Sequence, residues 1–417
     1  MTAVLARGPP GQPDIGYSPD WEKYTARTQH RVASEQLSQE LPAGFPKKLD
    51  SELVWDPKSL EASGYNWNYV LTNENIAELE GALAHFKSLG KPLGYVSQET
   101  FPLPKLHATL REVSREVHHG HGFKVVRGVP VAKHTTEENI ILYAGISAHV
   151  APIRGRQDKS YQGEKADVVL AHIKDLTATV DAASIGAPAY TTDKQVFHTD
   201  SGDVIALFAL QESANGGESY LASSYYVYNE LAANRPDLVR TLAEPWAFDT
   251  FGKATNKFQK RPLLHRVPDD SGRLIIQYAR RSFTGYWGLP RSSDIPPITE
   301  AQAEALDAVH FTAERNAIAL HFHQGDIQYA NNLNIFHARG AFQDSAEKQR
   351  HLVRLWLRDP EHAWPTPAAL QDRWNQLYAN VTPESSVFPL VPTVRSASKG
   401  TGPGKEVATT STGTPTA

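Results

Sequence analysis

The chain has 417 residues, of which 40% are hydrophobic and 21% are charged, and its formal net charge is −4. This is the composition of a globular protein, and the sequence has no basic stripe of the kind that nucleic-acid binding requires. Because the chain contains no cysteine, disulfide bonds, thiol catalysis and thiolate metal ligands are excluded, so any metal must be bound by His, Asp or Glu. The N-terminus has no apolar signal segment and no apolar run is long enough to span a bilayer, so we expect a cytoplasmic protein with no membrane partner.

The first half of the chain is predicted to be largely helical. Residues 1–45 are polar and contain several prolines, which predicts an irregular N-terminal arm. Apolar residues then recur on one helical face in "NIAELEGALAHFKSLG" (75–90) and again in "KLHATLREVSREV" (105–117). The segment "FKVVRGVPV" (123–131) has the β-branched composition of a strand.

From about residue 196 the pattern changes to short β-strands. Turn residues bound five apolar segments, "DVIALFAL", "SYLASS", "RLIIQYA", "AIALHFH" and "DIQYANN". One helix interrupts them over 300–313, with Thr299 and Gln302 in the positions of a capping box. Many short strands with peripheral helices indicate an α+β protein with a jelly-roll or barrel core.

The domain organisation is predicted to be simple. We expect one domain over 46–395. The end of the chain, 396–417, is rich in Gly, Ser and Thr and has almost no apolar residues. Such a segment cannot bury enough surface to offset the loss of chain entropy, so the tail is predicted to be disordered.

The stretch "VFHTDSGDV" (196–204) contains a candidate metal site. On a strand, side chains alternate between the faces, so His198 and Asp200 would point the same way. His337, at the end of a strand-like run, is the candidate third ligand. Two histidines and one carboxylate leave three positions of an octahedron open, which is diagnostic of non-haem Fe(II) oxygenases. A chance match stays open at this point, because the chain has 17 histidines.

A later strand carries two arginines. In "RHLVRLWLR" (350–358), alternation places Arg350 and Arg354 on one face, and both faces carry large apolar residues. A buried guanidinium is costly unless it is paired, and its planar fork suits a carboxylate. A dicarboxylate co-substrate bound to the metal at one end would meet such an arginine at the other. A protein carboxylate such as Asp326 or Asp344 is the alternative partner.

Four longer motifs follow one another along the chain: "VFHTDSGDVIALFAL", "SANGGESYLASSYYVYNELAANRPDL", "FHQGDIQYANNLNIFHARGAF" and "KQRHLVRLWL". With them the chain resembles the taurine dioxygenase-like (TauD/TfdA) family of Fe(II)/2-oxoglutarate-dependent oxygenases, over roughly 46–360. The resemblance implies a double-stranded β-helix with surrounding helices. It also implies that Fe(II) is bound by His198, Asp200 and His337.

The resemblance further implies a co-substrate site and a reaction. Arg354 is expected to bind the distal carboxylate of 2-oxoglutarate, with Arg350 as a neighbouring or substitute contact. Ser219, in "GGES", stands where relatives often have Thr and keeps a hydroxyl donor. The implied reaction uses O2, converts 2-oxoglutarate to succinate and hydroxylates a small molecule. Desaturation and ring closure stay open.

The substrate itself is not identified by these motifs. Sulfonates, amino acids, aryloxy acids and secondary metabolites are all candidates, and an anionic substrate would favour a pocket with a cationic side chain. The candidate pocket residues are "GRQD" (155–158), His172, Lys194, Arg280, Arg281 and Trp287.

Two other functions are considered. One is a cupin-like metal enzyme, with zinc or iron, that does not use 2-oxoglutarate; the arginine strand argues against it, because such a site needs no clamp for a second carboxylate. The other is a non-catalytic β-sandwich binding protein. The oligomeric state stays open, a homo-oligomer included.

Overall fold

Two β-sheets that face each other organise the structure, a computed structural model that describes residues 8–400. The helices are α1 (Trp21–Ser34), α2 (Pro57–Ser63), α3 (Asn73–Ser88), α4 (Leu106–His119), α5 (Thr136–Val150), α6 (Ser224–Asn234), α7 (Pro236–Ala243), α8 (Arg281–Thr284), α9 (Glu300–Arg315) and α10 (Ala368–Tyr378). The strands are β1 (Asn68–Val70), β2 (Phe123–Arg127), β3 (Ile153–Arg154), β4 (Asp158–Tyr161), β5 (Glu164–Val168), β6 (Leu170–Lys174), β7 (Gln195–His198), β8 (Val204–Gln211), β9 (Asn215–Gly216), β10 (Ser219–Ser223), β11 (Trp246–Asp249), β12 (Phe258–Arg261), β13 (Leu264–Arg266), β14 (Leu274–Ile276), β15 (Gly285–Tyr286), β16 (Leu289–Pro290), β17 (Ile318–Leu320), β18 (Ile327–Asn331), β19 (Ile335–Arg339), β20 (Phe342–Gln343), β21 (His351–Arg358) and β22 (Ser386–Val387).

The larger sheet has the strand order β1-β2-β18-β8-β21-β3, with β6 also paired to β21, and the smaller sheet has the order β17-β10-β19-β7. Apart from the parallel pair of β1 and β2, the pairings within these two sheets are antiparallel. Neighbouring strands are distant in sequence, so the sheets close only when remote segments meet. This is the predicted α+β fold, a double-stranded β-helix of the jelly-roll type with helices around it.

Strand alternation decides what each sheet buries. In β8, Val204, Ala206 and Phe208 pack in one cluster with α3, α4 and α5, whereas Ile205 packs in the cluster shared by both sheets. In β21, Leu355 lies in the first cluster and Trp356 in the second. The inner faces of the two sheets therefore enclose the space in which the polar residues of β21 lie.

The outer face of the smaller sheet is covered by α6, α7 and α9, whose apolar residues form one cluster with it. Helix α9 begins at the predicted capping box. The Oγ1 of Thr299 accepts from the backbone N–H of Gln302 at 3.1 Å, and the Gln302 side chain accepts from the Thr299 N–H at 3.1 Å. This prediction is confirmed.

The prediction of an irregular N-terminal arm is wrong for Trp21–Ser34, which forms α1. Arg27 pairs with Asp307 at 2.9 Å, and Arg31 pairs with the fully buried Glu304. Both carboxylates belong to α9. The helix is fixed by charged contacts to a distant element, so its own sequence lacks the apolar periodicity that would have revealed it.

Two further differences from the sequence predictions concern the end of the chain and α5. Ser396–Ser398 form a 3-10 turn with Ser398 buried, so the predicted disorder is wrong for 396–400, while 401–417 lie outside the described residues. Helix α5 was not predicted, because every residue from Asn139 to Val150 is buried and no one-sided pattern marks it. Within residues 8–400, no helix combines the length and apolar composition that crossing a membrane requires.

Candidate metal centre

The structure brings His198, Asp200 and His337 together, as the sequence predicted. His198 is the last residue of β7 and lies opposite His337 of β19 in the antiparallel register, with ring centroids 4.1 Å apart. One ligand atom from each of the three residues lies within 4.8 Å of the others. The positions of two residues in their strands differ from the prediction. Asp200 lies after the end of β7 rather than within it, and β19 continues beyond His337 to Arg339.

Because Asp200 lies outside the strand, other residues must fix its position. The backbone N–H of Asp200 donates to Oδ1 of Asn332 at 2.7 Å, and Nδ2 of Asn332 donates to the carbonyls of Asp200 and Gly202 at 2.9 and 2.8 Å. The N–H of Thr199 donates to the carbonyl of Tyr278 at 2.7 Å. Asn332 is completely buried, and sequence reasoning missed it. A polar residue at the end of a buried strand, in "YANN", was the available signal.

His198 presents one ring nitrogen in the form that a metal needs. Its Nδ1 lies 2.9 Å from the carbonyl of Val196, which can only accept, so Nδ1 carries the proton. Nε2 therefore has a lone pair. This nitrogen lies 3.0 Å from Nε2 of Gln195 and 3.8 Å from Oδ1 of Asp200. A hydrogen bond that fixes the tautomer of a histidine in this way is typical of metal ligands.

Asp200 has one oxygen held by the protein and one facing His198. Oδ2 accepts from Nη1 of Arg354 at 2.7 Å and from Nε1 of Trp356 at 3.1 Å. Burial by itself would raise the pKa of Asp200, but the surrounding positive charges, of which Arg354 is the foremost, together outweigh it and hold the pKa below its ordinary value. The carboxylate is therefore ionised, and Oδ1 is the oxygen available to a cation.

Burial also keeps both histidines neutral. The pKa of His337 is lowered well below its ordinary value, mainly by burial and further by the charge of Arg354, against the opposing effect of Asp200. Burial likewise lowers the pKa of His198. The Nδ1 of His337 is buried and has no hydrogen-bond partner within residues 8–400. Two neutral imidazoles and one ionised carboxylate within reach of a common point fit a divalent transition metal.

Arg354 lies in β21, where it contacts Asp200. Its Nε donates to Oε1 of Gln157 at 2.9 Å, its Nη1 is bound to Asp200, and its Nη2 is buried without a hydrogen-bond partner among residues 8–400. Asp326, one alternative partner for an arginine of this strand, is instead paired with Arg127 at 2.8 Å.

Arg350 lies just before β21, four residues before Arg354. A β-bulge separates it from the regular strand, between His351 and Leu352. Its Nε donates to the carbonyl of Gly217 at 3.3 Å, and its Nη1 is buried without a hydrogen-bond partner in the described part of the chain. Asp344, the other alternative partner, accepts from the backbone N–H of Arg350 at 2.8 Å rather than from the guanidinium.

The Gly-Gly pair before Ser219 is shaped for Arg350. Gly217 has a φ of +78°, and a Cβ there would lie 2.9 Å from Cδ and Nε of Arg350. Ser219 is buried and its Oγ donates to Oε1 of Gln328 at 2.7 Å. A cavity of about 190 Å³ opens beside Arg350, Gly217 and Leu352. The structure thus places Arg350 near the segment that ends in Ser219, and Arg354 at Asp200.

The other candidate pocket residues differ in their contacts and exposure. Gln157 of "GRQD" contacts Arg354, and Nη1 of Arg281 donates to the carbonyl of Gly186 at 2.7 Å. Arg280 is paired with Asp307 at 2.7 Å, and Lys194 with Glu314 at 2.6 Å. Trp287 is 67% exposed. Buried His172 bonds to His351 and to the carbonyl of Pro389, both at 2.7 Å, which is a packing role.

The chain is similar to known proteins over most of its length. Residues 87–356 match the model of the taurine catabolism dioxygenase TauD, TfdA family. The taurine hydroxylase-like protein SAT17 of Stachybotrys chartarum is 34% identical over 354 residues, which cover 83% of this chain and 89% of that protein. FR-33289 synthase of Streptomyces rubellomurinus is 25% identical over 340 residues, which cover 79% of this chain and 95% of that protein.

Solved structures share the fold at low sequence identity. Asparagine oxygenase in complex with Fe(II), 2S,3S-3-hydroxyasparagine and succinate matches with a TM-score of 0.52 and 14% identity, covering 73% of this chain and all of that one. The non-haem iron oxygenase OrfP in complex with Fe and alpha-ketoglutaric acid matches with a TM-score of 0.51 and 15% identity, covering 77% of this chain and 99% of that one.

Proposed function

The chain belongs to the TauD, TfdA family of dioxygenases, and from this premise we propose that His198, Asp200 and His337 are its iron ligands. The protein is an Fe(II)/2-oxoglutarate-dependent dioxygenase that oxidises a small molecule. Bound Fe(II), with 2-oxoglutarate and O2, supplies the oxidising power, and the co-substrate leaves as succinate and carbon dioxide. The observation that carries the assignment is the convergence of three ligand atoms within 4.8 Å.

The protein prepares these ligands before the ion arrives. The bond from Nδ1 of His198 to the Val196 carbonyl fixes the tautomer, and the donors on Oδ2 of Asp200 leave Oδ1 for the ion. Neither histidine has to lose a proton at neutral pH, because burial keeps both neutral. With three protein ligands, a bound Fe(II) ion would keep positions open for the co-substrate and O2.

The contacts favour Arg350, rather than Arg354, as the main anchor for the distal carboxylate of 2-oxoglutarate. The two carboxylates of 2-oxoglutarate are at opposite ends of the molecule, so the anchor must lie away from the metal. Arg354 is bonded to a metal ligand, whereas Arg350 lies four residues away, about 13 Å along an extended strand. Arg350 also has an unpartnered Nη1 and lies beside the Gly217–Ser219 segment. Arg354 is then available to the substrate.

Several finer properties belong to the proposal. We assign O2 as the second co-substrate and hydroxylation as the reaction outcome. The cytoplasmic location, the single domain over 46–395 and the open oligomeric state stay predictions.

The decisive experiment is anaerobic addition of Fe(II) and 2-oxoglutarate to the purified protein. We expect the visible charge-transfer band of the chelated complex, and its loss in His337→Ala and in Asp200→Ala. His85→Ala, an exposed histidine on α3, is the matched control and should keep the band. A folded wild-type protein that binds Fe(II) but never forms the band would contradict the assignment.

A further inference from the structure

Four arginines from separate parts of the chain interact electrostatically with Asp200, and one of them, Arg354, contacts its carboxylate. Arg281 begins α8, Arg354 lies in β21, Arg373 lies in α10, and Arg395 lies in the segment that follows β22. Motif reasoning singled out Arg281 and Arg354 but not the other two, which lie beyond the part of the chain that the family match covers.

Two of these arginines share Trp356. The guanidinium carbons of Arg354 and Arg395 lie 4.9 and 5.2 Å from the centroid of its ring. Both also contact Gln157: Nε of Arg354 donates to its side-chain oxygen at 2.9 Å and Nη1 of Arg395 to its carbonyl at 3.4 Å. Because Nε1 of Trp356 donates to Asp200 at 3.1 Å, the pair lies beside the metal ligand.

The other two arginines are fixed to neighbouring backbone. Nη2 and Nε of Arg373 donate to Oγ of Ser201, the residue after Asp200, at 3.0 and 3.2 Å. Nη1 of Arg281 donates to the carbonyls of Gly186 and Ala397 at 2.7 and 3.4 Å. Arg281 therefore lies against the segment that carries Arg395.

The C-terminal segment is itself held in place. The N–H of Gly186 donates to the carbonyl of Ser398, and the N–H of Gly400 donates to the carbonyl of Ser184, both at 2.7 Å. Nζ of Lys253 donates to the carbonyl of Lys399 at 2.9 Å. Arg395 is thus positioned by the fold and is not a residue of a loose tail.

The charges around Asp200 do not balance. Within residues 8–400, the only ion pair that these four guanidiniums make with a carboxylate is that of Arg354 with Asp200. Nearby Asp203 is paired with Arg358 at 2.9 Å, and Asp158 accepts from the N–H of Ser396 at 2.6 Å. Four positive groups against one negative group leave three charges uncompensated. Nη2 of Arg354 and Nε of Arg395 are buried and have no hydrogen-bond partner among these residues.

The excess charge persists at neutral pH and in the loaded enzyme. Burial lowers the pKa of Arg281 and of Arg373 to about 10, and the charge of Arg395 acts in the same direction, so both remain protonated. Fe(II) and 2-oxoglutarate carry opposite formal charges of equal size and cancel each other. One buried and three half-buried guanidiniums that share a single carboxylate partner are costly to hold together, so they indicate an anionic ligand.

We propose that Arg281, Arg354, Arg373 and Arg395 bind a substrate through a doubly charged oxyanion group, of the phosphate-monoester or phosphonate type, in preference to a singly charged sulfonate or carboxylate. A tetrahedral dianion offers three oxygens to guanidiniums that approach from different elements, and charge-assisted bonds of this kind are the strong ones. The inference rests on the proposed function, since the group is placed beside the iron.

The test compares two probes of the same shape and different charge. Methylphosphonate and methanesulfonate are titrated at pH 8 and constant ionic strength into the anaerobic Fe(II)/2-oxoglutarate complex, with binding followed by calorimetry and the visible band recorded throughout. We expect methylphosphonate to bind at least about tenfold more tightly, with the band retained. Inorganic phosphate as a third probe shows whether the methyl group contributes.

Variants then identify the residues involved. Arg281→Gln and Arg395→Gln should each weaken methylphosphonate binding by about tenfold and affect methanesulfonate less. Arg395→Lys, which keeps the charge, should retain part of the affinity and replaces Arg395→Gln if that variant fails to fold. Arg115→Gln, an exposed residue of α4 paired with Glu112, is the matched control and should bind both probes like the wild type.

The outcomes separate this inference from the proposed function. A missing band in the wild type counts against the proposed function. With the band present, the inference is overturned by equal affinity for the two probes, by no binding of either, or by arginine variants that bind like Arg115→Gln. Loss of the band on adding methylphosphonate would also overturn it, because the probe would then be a ligand of iron.

Discussion

At the scale of single residues, Asp200 shows how neighbours set a side chain for its role. Two donors, Arg354 and Trp356, hold Oδ2, so that only Oδ1 is directed toward His198. The charge of Arg354, with that of other nearby positive groups, keeps the carboxylate ionised inside the protein. Orientation and charge therefore come from residues that are not themselves ligands.

Trp356→Phe tests this orientation. The variant keeps the aromatic packing but removes the 3.1 Å bond to Oδ2 of Asp200. We expect the Fe(II) concentration for half-maximal band formation to rise by about tenfold, the usual effect of losing such a contact. Trp364→Phe also removes a buried indole bond, to the carbonyl of His118 at 3.1 Å, and should leave the Fe(II) titration unchanged. Equal titrations for the two variants would refute this role.

Arg350, just before β21, and Arg354, within it, can be distinguished by their effect on 2-oxoglutarate binding. Arg350→Gln should raise the 2-oxoglutarate concentration for half-maximal band formation by at least about tenfold, because a charge-assisted bond to the distal carboxylate is lost. Arg354→Gln should change this concentration less. The assignment of Arg350 fails if the order of the two effects is reversed.

At the scale of elements, the sequence pattern of β21 predicts how the strand is packed, whereas that of α1 does not. The alternation along β21 predicts its two faces, because a strand between two layers has apolar neighbours on both sides. Helix α1 has no such pattern and is held by ion pairs to α9, at Asp307 and Glu304. Only a partner element explains why α1 is ordered.

Glu304→Gln tests how α1 is held. Glu304 is completely buried and is paired with both Arg31 and Arg235. Removing its charge takes from both guanidiniums their fully buried partner, although Arg31 keeps Glu35 and Arg235 keeps Asp237, so we expect the free energy of unfolding to fall by about 3 kcal/mol. The measurement is urea denaturation at pH 7.

The control for Glu304→Gln is a variant of Glu300, which lies one helical turn away in α9. Glu300 is paired with Arg27 at 2.7 Å, but its side chain is 59% exposed. An exposed pair contributes little because water and salt screen it, so Glu300→Gln should change stability only slightly. A loss as large as that of Glu304→Gln would show that burial is not what makes the contact to α9 strong.

At the scale of the whole molecule, buried neutral histidines set the acid limit of stability. Burial lowers the pKa of His265 and of His118 to about 4 and that of His351 to about 3. The unfolded chain binds these protons near pH 6.5. Stability from these residues is therefore fully present above pH 6.5 and is lost as the pH falls from 6.5 toward 4.

His265→Gln tests this dependence. A histidine with a folded pKa of about 4 loses roughly 3 kcal/mol of stability between pH 7 and pH 4, and the variant lacks this contribution. The free energy of unfolding, measured by urea denaturation at pH 7 and pH 5, should therefore fall less in His265→Gln than in the wild type. His85→Gln, at an exposed position, should fall like the wild type. Parallel losses in all three proteins would contradict the assignment.

The sequence by itself determined what depends on neighbours along the chain. The period of two in β8 and β21 and the capping box at Thr299 are local patterns, and the structure contains each of them. The order of the four longer motifs along the chain also predicted the family and the jelly-roll fold. These features are readable because backbone geometry imposes a fixed repeat on side-chain direction.

The tertiary structure decided what depends on contacts between distant segments. Asn332 clamps the loop of Asp200 across 132 residues of chain. From the C-terminal region, Arg373 reaches that loop at Ser201, and Arg395 reaches the carbonyl of Gln157. The order of α1 and the burial of α5 were likewise settled by packing partners. Burial and charge balance are properties of the folded surroundings and have no repeat along the chain, so no reading of one segment could supply them.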